Sequence, residues 1–266
     1  MAAIQHLLAR LWADYRTLNP QARAIHDLLE SRGERVVNDH IALRTYDDPR
    51  VDLNTLSAPF LDGGYVPKGQ YAFPEKKLFA RHFEHPDKEC PKVFISELKV
   101  GEFPDSVQRT VKSLIDQAPA DLPGRADFPV AGRTWTTAFP EYESLRAHSE
   151  YAAWMAAWGF RANHFTVLAN ALKTFKDLAE LNSFLKEKGF KLNAAGGEIK
   201  GSPEVYLEQS STLADQGEVR FLDGTHRVPA CYYEFARRYP LPDGQLYEGF
   251  VEKSADKIFE STNKRS

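Results

Sequence analysis

The hydrophobic pattern opens on helices. Leu7, Leu8, Leu11 and Tyr15 recur at spacings of three and four, which predicts an amphipathic helix over residues 4–18. Asn19-Pro20 supplies a cap followed by proline at the first helical position. A second helix therefore starts there, runs through Ala24, Leu28 and Leu29, and stops at Gly33. The pattern then turns to strands. A strand is expected over 36–46, a helix over 52–61 ended by Gly63-Gly64, and three strands over 65–73, 77–83 and 92–100, parted by turns at Pro74 and Pro86. A helix over 106–117, with Val107, Val111 and Leu114 on one side, closes this half.

Residues 119–140 are rich in proline, glycine and alanine and read as a connector. A packed insertion is the alternative reading, because Trp135 and Phe139 lie within the stretch. A short helix over 151–158 ends at Gly159, and a second series follows: strand 161–168, helix 173–188, then strands 205–213, 219–222 and 229–238. Both halves thus read β-α-β-β-β. The expected fold class is α+β: one domain over 1–266, made of two fused modules that form a curved mixed sheet around a cleft. N-terminal helices and the first module fill 1–118, the connector or insertion 119–150, and the second module with a tail 151–266.

The two halves also share letters. Asn38-Asp39-His40-Ile41-Ala42-Leu43 and Ala162-Asn163-His164-Phe165-Thr166-Val167 each put a histidine at the mouth of an apolar strand. Each half then carries one acid on an aromatic strand, Glu97 after Phe94-Ile95-Ser96 and Glu234 after Tyr232-Tyr233. Two imidazoles and one carboxylate on one face of a metal leave positions open for substrate and oxygen, a donor set that suits non-haem Fe(II). The bland readings are chance similarity for the repeat, a satisfied core histidine for His164, and an ion pair with Arg237 or Arg238 for Glu234. Residues two apart share a strand face, so His40, Ala42 and Arg44 point the same way. The Cα atoms of His40 and Arg44 should lie roughly 13 Å apart at about 3.3 Å per residue. An arginine can reach back over the small Ala42 and grip a carboxylate with its fork of donors, or it can be a surface cation. Leu207-Glu208-Gln209-Ser210-Ser211-Thr212 is polar for a strand and lines a pocket or faces solvent. Among the other histidines, those at 6, 26, 82, 85 and 226 have no partner at ligand spacing, and no HExxH, Walker, GxGxxG or GxSxG motif occurs.

Composition narrows the classes. A chain of 266 residues with 42% hydrophobic and 27% charged residues is ordinary for a soluble globular protein. A net charge of −3 and a pI near 6.3 offer no general electrostatic reason to bind nucleic acid or an anionic membrane. Two cysteines, Cys90 and Cys231, make neither a disulfide framework nor a cysteine-based zinc site. The first residues lack the charged start and apolar run of a secretory signal, and no stretch reaches transmembrane length, so a cytoplasmic location is expected.

The motif from Asn38 to Thr45, the Arg161–Thr166 stretch, Leu207–Ser211 and the Tyr-Tyr-Glu-Phe strand resemble the DUF1338 family. That family includes the bacterial 2-oxoadipate dioxygenase/decarboxylase, or 2-hydroxyglutarate synthase, and plant relatives. The resemblance spans roughly residues 4–239 and is most specific in the first histidine-to-arginine motif. It implies a fold related to the vicinal oxygen chelate superfamily, with metal ligands at His40, His164 and Glu234 and a substrate-binding, catalytic arginine at Arg44. It also implies Fe(II), a 2-oxo dicarboxylic acid and dioxygen as partners, with 2-oxoadipate giving 2-hydroxyglutarate and CO₂ in lysine breakdown. The characterised 2-oxoadipate enzymes are longer, so the chain resembles a compact branch. Two further readings stay open: an oxygen-independent metal isomerase, lyase or hydrolase, and a non-enzymatic binder of a small acid. Four protein ligands would leave an octahedral metal too few positions, so only one acid is expected to bind. Glu234 is expected to be that one, because its aromatic surroundings make an unpaired charge costlier and because the family pattern falls there. Glu97 is expected to pair with Lys99. Oligomeric state is not legible.

Overall fold

The structure is a computed structural model and describes residues 2–252. Helices α1 (Ala2–Leu18) and α2 (Pro20–Ser31) come first, and the Asn19 side chain caps α2 by accepting a hydrogen bond from Ala22 N. Strand β1 (Asn38–Tyr46), helix α3 (Leu53–Asp62) and strands β2 (Val66–Phe73), β3 (Leu78–Glu84) and β4 (Lys92–Leu98) form the first module. Helices α4 (Asp105–Ile115), α5 (Phe139–His148) and α6 (Glu150–Trp158) lie between the modules in sequence. The second module holds β5 (Ala162–Leu168), α7 (Leu178–Glu187), β6 (Lys200–Ser202), β7 (Leu207–Ser211), β8 (Gln216–Phe221), β9 (Gly224–Pro229) and β10 (Tyr232–Arg238).

Eight strands make one mixed sheet in the order β2-β3-β4-β1-β5-β10-β7-β6. That order is its own mirror when modules are exchanged, with β1 standing for β5, β4 for β10, β3 for β7 and β2 for β6. Register makes the symmetry exact to the residue where the halves meet. On the antiparallel β1–β5 seam His40 faces Thr166 and Ala42 faces His164, so a two-fold operation carries His40 onto His164 and Ala42 onto Thr166.

Three expectations need correction. The helix expected from Lys173 begins only at Leu178, because Asp177 caps it through Glu180 N, while the backbone N–H groups of Lys173 and Thr174 are taken by Glu34. The segment around Val219 does not join the sheet; it pairs with β9 in a separate hairpin turned at Leu222-Asp223. The run expected as one strand from Pro229 is broken, with β10 starting at Tyr232, and the three-residue β6 takes the edge position instead.

Both faces of the central strands are covered, and β1, β5 and β10 are buried along almost their whole length. On one face Trp12 and Tyr15 of α1 pack against Phe165, and the Tyr15 hydroxyl donates to Tyr232 O at 2.5 Å. Between modules, Leu122, Phe128 and Trp135 are buried, so this stretch packs against the body of the fold through apolar side chains. Helix α6 is buried along its length and is tied to the sheet: Tyr151 donates its hydroxyl proton to Ser96 O at 2.6 Å, and Trp154 Nε1 donates to Ala230 O at 2.7 Å.

Candidate metal centre

The other sheet face carries the polar groups. Direct neighbours across strands share a face, so the register lines up Lys92, His40, Thr166 and Glu234 across β4, β1, β5 and β10. Phe94, Ala42, His164 and Tyr232 form the next row, and Ser96 and Arg44 sit beyond them. His40, His164 and Glu234 converge here, all buried. Glu234 Oε1 is 3.6 Å from His40 Nε2, and Glu234 Oε2 is 3.4 Å from His164 Nε2.

Surrounding bonds fix which atoms face inward. Arg238 grips Asp39 with Nε and Nη2 at 2.6 and 2.8 Å. Burial alone would raise the Asp39 carboxyl, but the Arg238 guanidinium and the bond from His40 hold it well below the usual carboxylate range. An ionised Asp39 can only accept, so His40 Nδ1 carries the proton and donates to Asp39 Oδ1 at 2.8 Å. The lone pair of His40 is therefore on Nε2, where Thr166 Oγ1 lies 3.0 Å away. In the second module Asn163 Oδ1 is 3.1 Å from His164 Nδ1, which puts the His164 lone pair on Nε2 as well. Burial lowers the basicity of His40 against the pull of Asp39; burial, followed by the charges of His40 and Arg44, holds His164 well below the ordinary histidine value.

Two imidazole lone pairs and a carboxylate thus face one another. Gln209 Nε2 donates to Glu234 Oε1 at 2.6 Å, while Glu234 Oε2 makes no hydrogen bond among the described residues. Burial pushes the Glu234 carboxyl up to about 8 despite the bond from Gln209. Thr166 and Gln209 supply one donor each, at His40 Nε2 and Glu234 Oε1, and Glu234 Oε2 is left facing His164 Nε2, two acceptors that a cation would join. The edges of 3.4 and 3.6 Å can be spanned by one ion bound at roughly 2.1 Å from nitrogen and oxygen donors. The donor set fits a divalent transition ion. Two other groupings of ligand-type atoms fit less well. The His26, Asp27 and Glu30 group lies on α2 with both acids exposed, and His85 Nδ1 already accepts from Asp87 N beside Cys90.

Arg44 is only 3% exposed, so it is not a surface cation. Its guanidinium carbon lies 4.8 Å from the Tyr151 ring centre and 5.1 Å from that of Trp154, and its charge reaches His164. Arg44 also lines a cavity of about 500 Å³ with Lys76, Lys77, Glu150 and Tyr151. At the other end Phe250 meets the His40 ring edge-on at 4.8 Å and packs on Phe94 and His82. Its segment is held by Arg238 Nη1, which donates to Tyr247 O and Gly249 O.

Glu97 stands elsewhere. It pairs with Thr45, on the face opposite His40, and its Oε2 accepts from Leu53 N at the start of α3. Lys99 is not its partner but pairs with Glu102. The two-fold equivalent of Glu234 is Phe94, because His40 faces Lys92 while His164 faces Tyr232. Glu234 does not pair with Arg237 or Arg238; the latter serves Asp39 and the former donates to Lys176 O. His82, weak in the sequence, is buried at the cleft with Tyr71 and Glu84 as partners. Sequence reasoning assigns no role to Asp39 or Tyr232 and offers Arg238 only as an ion partner of Glu234. The aspartate preceding His40, mirrored by Asn163 before His164, was the one available signal.

A family model described as 2-oxoadipate dioxygenase/decarboxylase matches residues 4–122 and 130–245. A chloroplastic protein of that name from Arabidopsis thaliana is 35% identical over 283 residues, which cover 96% of this chain and 76% of the relative. The crystal structure of the hydroxyglutarate synthase from Oryza sativa in complex with 2-oxoadipate is 32% identical, with a TM-score of 0.91 over 98% of this chain and 92% of that one. A Shewanella frigidimarina structure, named only provisionally as a hydrolase, is 52% identical with a TM-score of 0.90, covering 94% and 98%.

Proposed function

The chain belongs to the 2-oxoadipate dioxygenase/decarboxylase family of enzymes, and from that premise we propose that it uses Fe(II) and dioxygen to convert 2-oxoadipate into 2-hydroxyglutarate and CO₂. The reaction balances: 2-oxoadipate and O₂ together hold the atoms of 2-hydroxyglutarate and CO₂. The observation that carries the reading is the meeting of His40 Nε2, His164 Nε2 and an unbonded Glu234 oxygen in a buried cleft. His40, His164 and Glu234 would hold the ion through two imidazole nitrogens and one carboxylate oxygen. When bound, iron supplies the redox chemistry that makes dioxygen reactive toward the keto acid.

The chain's own residues do the rest. Asp39, fixed by Arg238, keeps His40 in the tautomer that presents Nε2. Gln209 orients the Glu234 carboxylate. Arg44, stacked between Tyr151 and Trp154, receives a substrate carboxylate with its donor fork. The aromatic wall of Phe94 and Phe250 keeps bulk water from the cleft. Lysine breakdown in the cytoplasm is the setting that goes with this reading.

The test is anaerobic Fe(II) loading followed by an oxygen-electrode screen of 2-oxo acids, with elemental analysis of wild type, His40→Ala and His164→Ala. About one iron per chain, lost in both variants, and one O₂ consumed per CO₂ released are expected. Iron retained in either folded variant overturns the ligand assignment. Turnover of a metal-loaded enzyme without oxygen uptake would establish lyase, isomerase or hydrolase chemistry instead.

A further inference from the structure

Tyr232 occupies the row between the ligands and Arg44. It is the direct strand partner of His164, and the two rings stack at 4.6 Å with an interplanar angle of 27°. The residue is fully buried, yet its hydroxyl has no hydrogen-bond partner among the described residues. Only its backbone is engaged, through the bond that Tyr15 donates to Tyr232 O. Leaving a buried hydroxyl unpaired costs on the order of 1–3 kcal/mol, so the fold tolerates a penalty here that phenylalanine would avoid. The register places Tyr232 in the row of the sheet face that lies between the row of Glu234 and His40 and the row of Arg44. A phenol is neutral near pH 7, so its hydroxyl has a proton to donate.

We propose that the Tyr232 hydroxyl is a substrate-binding donor, giving a hydrogen bond to an oxygen of the anionic 2-oxo acid that lies between Arg44 and the metal ligands. The proposal rests on the functional reading above and adds a residue to it. A donor stacked on His164 at a fixed angle is pre-organised, with little side-chain freedom left to lose on binding. The unpaired hydroxyl of the free protein finds its partner only when the acid is present, which couples occupancy to selectivity for an oxygen-bearing ligand.

Tyr232→Phe removes one oxygen and keeps the stacked ring. Two measurements decide the role: the melting temperature of the ligand-free protein, and the Kd of 2-oxoadipate for the Co(II)-loaded protein by calorimetry, which needs no turnover. The expected result is an unchanged or raised melting temperature, unchanged cobalt content, and a Kd at least about tenfold higher. An unchanged Kd overturns the proposal while leaving the functional reading intact. A fall in melting temperature overturns it too, because the hydroxyl would then be serving the fold. Failure of wild type to bind any 2-oxo acid removes the functional reading and this role together.

Discussion

Glu234→Gln should stabilise the metal-free protein while destroying its metal site. The carboxyl is pushed from an ordinary 4.5 up to about 8 by burial, so keeping it in the folded chain at about pH 7.5 costs on the order of 4 kcal/mol, at roughly 1.4 kcal/mol per pH unit. The sign follows from proton binding. Between about 4.5 and 8 the folded state holds a proton that the unfolded state has lost, so stability of the metal-free wild type falls as pH rises through that window. Glutamine carries no such charge. Its oxygen can still accept from Gln209, and its amide can donate toward His164 Nε2, which removes the clash of acceptors. For a chain of this size 1 kcal/mol moves Tm by about 2–4 °C, so Glu234→Gln should melt roughly 10 °C higher at about pH 7.5 and equal to wild type below about pH 4.5. Adding metal should close most of this gap, because an ion at a thousand times its Kd contributes about 4 kcal/mol to wild type alone. Thermal melts with chelator and with Co(II), across pH, make the measurement. A metal-free variant that melts below wild type at all pH values, or one that cobalt stabilises as much as wild type, would refute the reasoning.

Arg44→Lys keeps the charge and loses the planar fork that stacks on Tyr151 and Trp154; KM for the best 2-oxo acid should rise at least about tenfold, from a lost charged hydrogen bond of about 1.5–3 kcal/mol, with metal content unchanged. Steady-state kinetics equal to wild type would remove Arg44 from the pocket. Glu97→Gln should leave metal content and turnover unchanged and should not lower Tm near neutral pH, since burial and the nearby Asp52 and Asp47 already disfavour its charge and the amide oxygen can still accept from Leu53 N. Loss of metal in that variant would contradict the face assignment of β4.

What could be read in advance divides along physical lines. Helix ends with a local device were legible: Asn19 and Asp52 cap through bonds two or three residues away, and Gly33 and Gly159 adopt positive φ where their helices stop. The β-α-β-β-β order of the first module was legible because period and punctuation are local. The strand β6 was not, since three residues of Lys-Gly-Ser carry no alternation and pair only because β7 offers its edge. Helix α7 was extended too far toward its start because Lys173 to Lys176 are compatible with helix, whereas Glu34, far away in sequence, claims their backbone. The Asp39–Arg238 pair spans 199 residues and had no sequence signal of its own.

The misreading of Glu97 is the most instructive, because it shows what duplication does and does not transmit. Both modules end on an aromatic strand with one glutamate, and the letters suggest equivalence. Register decides otherwise: a shift of one residue moves a side chain to the opposite face, and Glu97 is three residues past Phe94, the true counterpart of Glu234. The two-fold relation therefore delivers one histidine from each module but an acid from only one. Where symmetry would place a second carboxylate, Phe94 stands instead, packed on Phe250. Under the proposed roles this asymmetry is what makes the site usable. A symmetric centre with two histidines and two carboxylates would fill four positions of an octahedral ion and leave two. With Phe94 in place of the fourth donor, three positions stay open and one wall of the cleft is apolar, so a bidentate acid and dioxygen can share a space from which water is kept out.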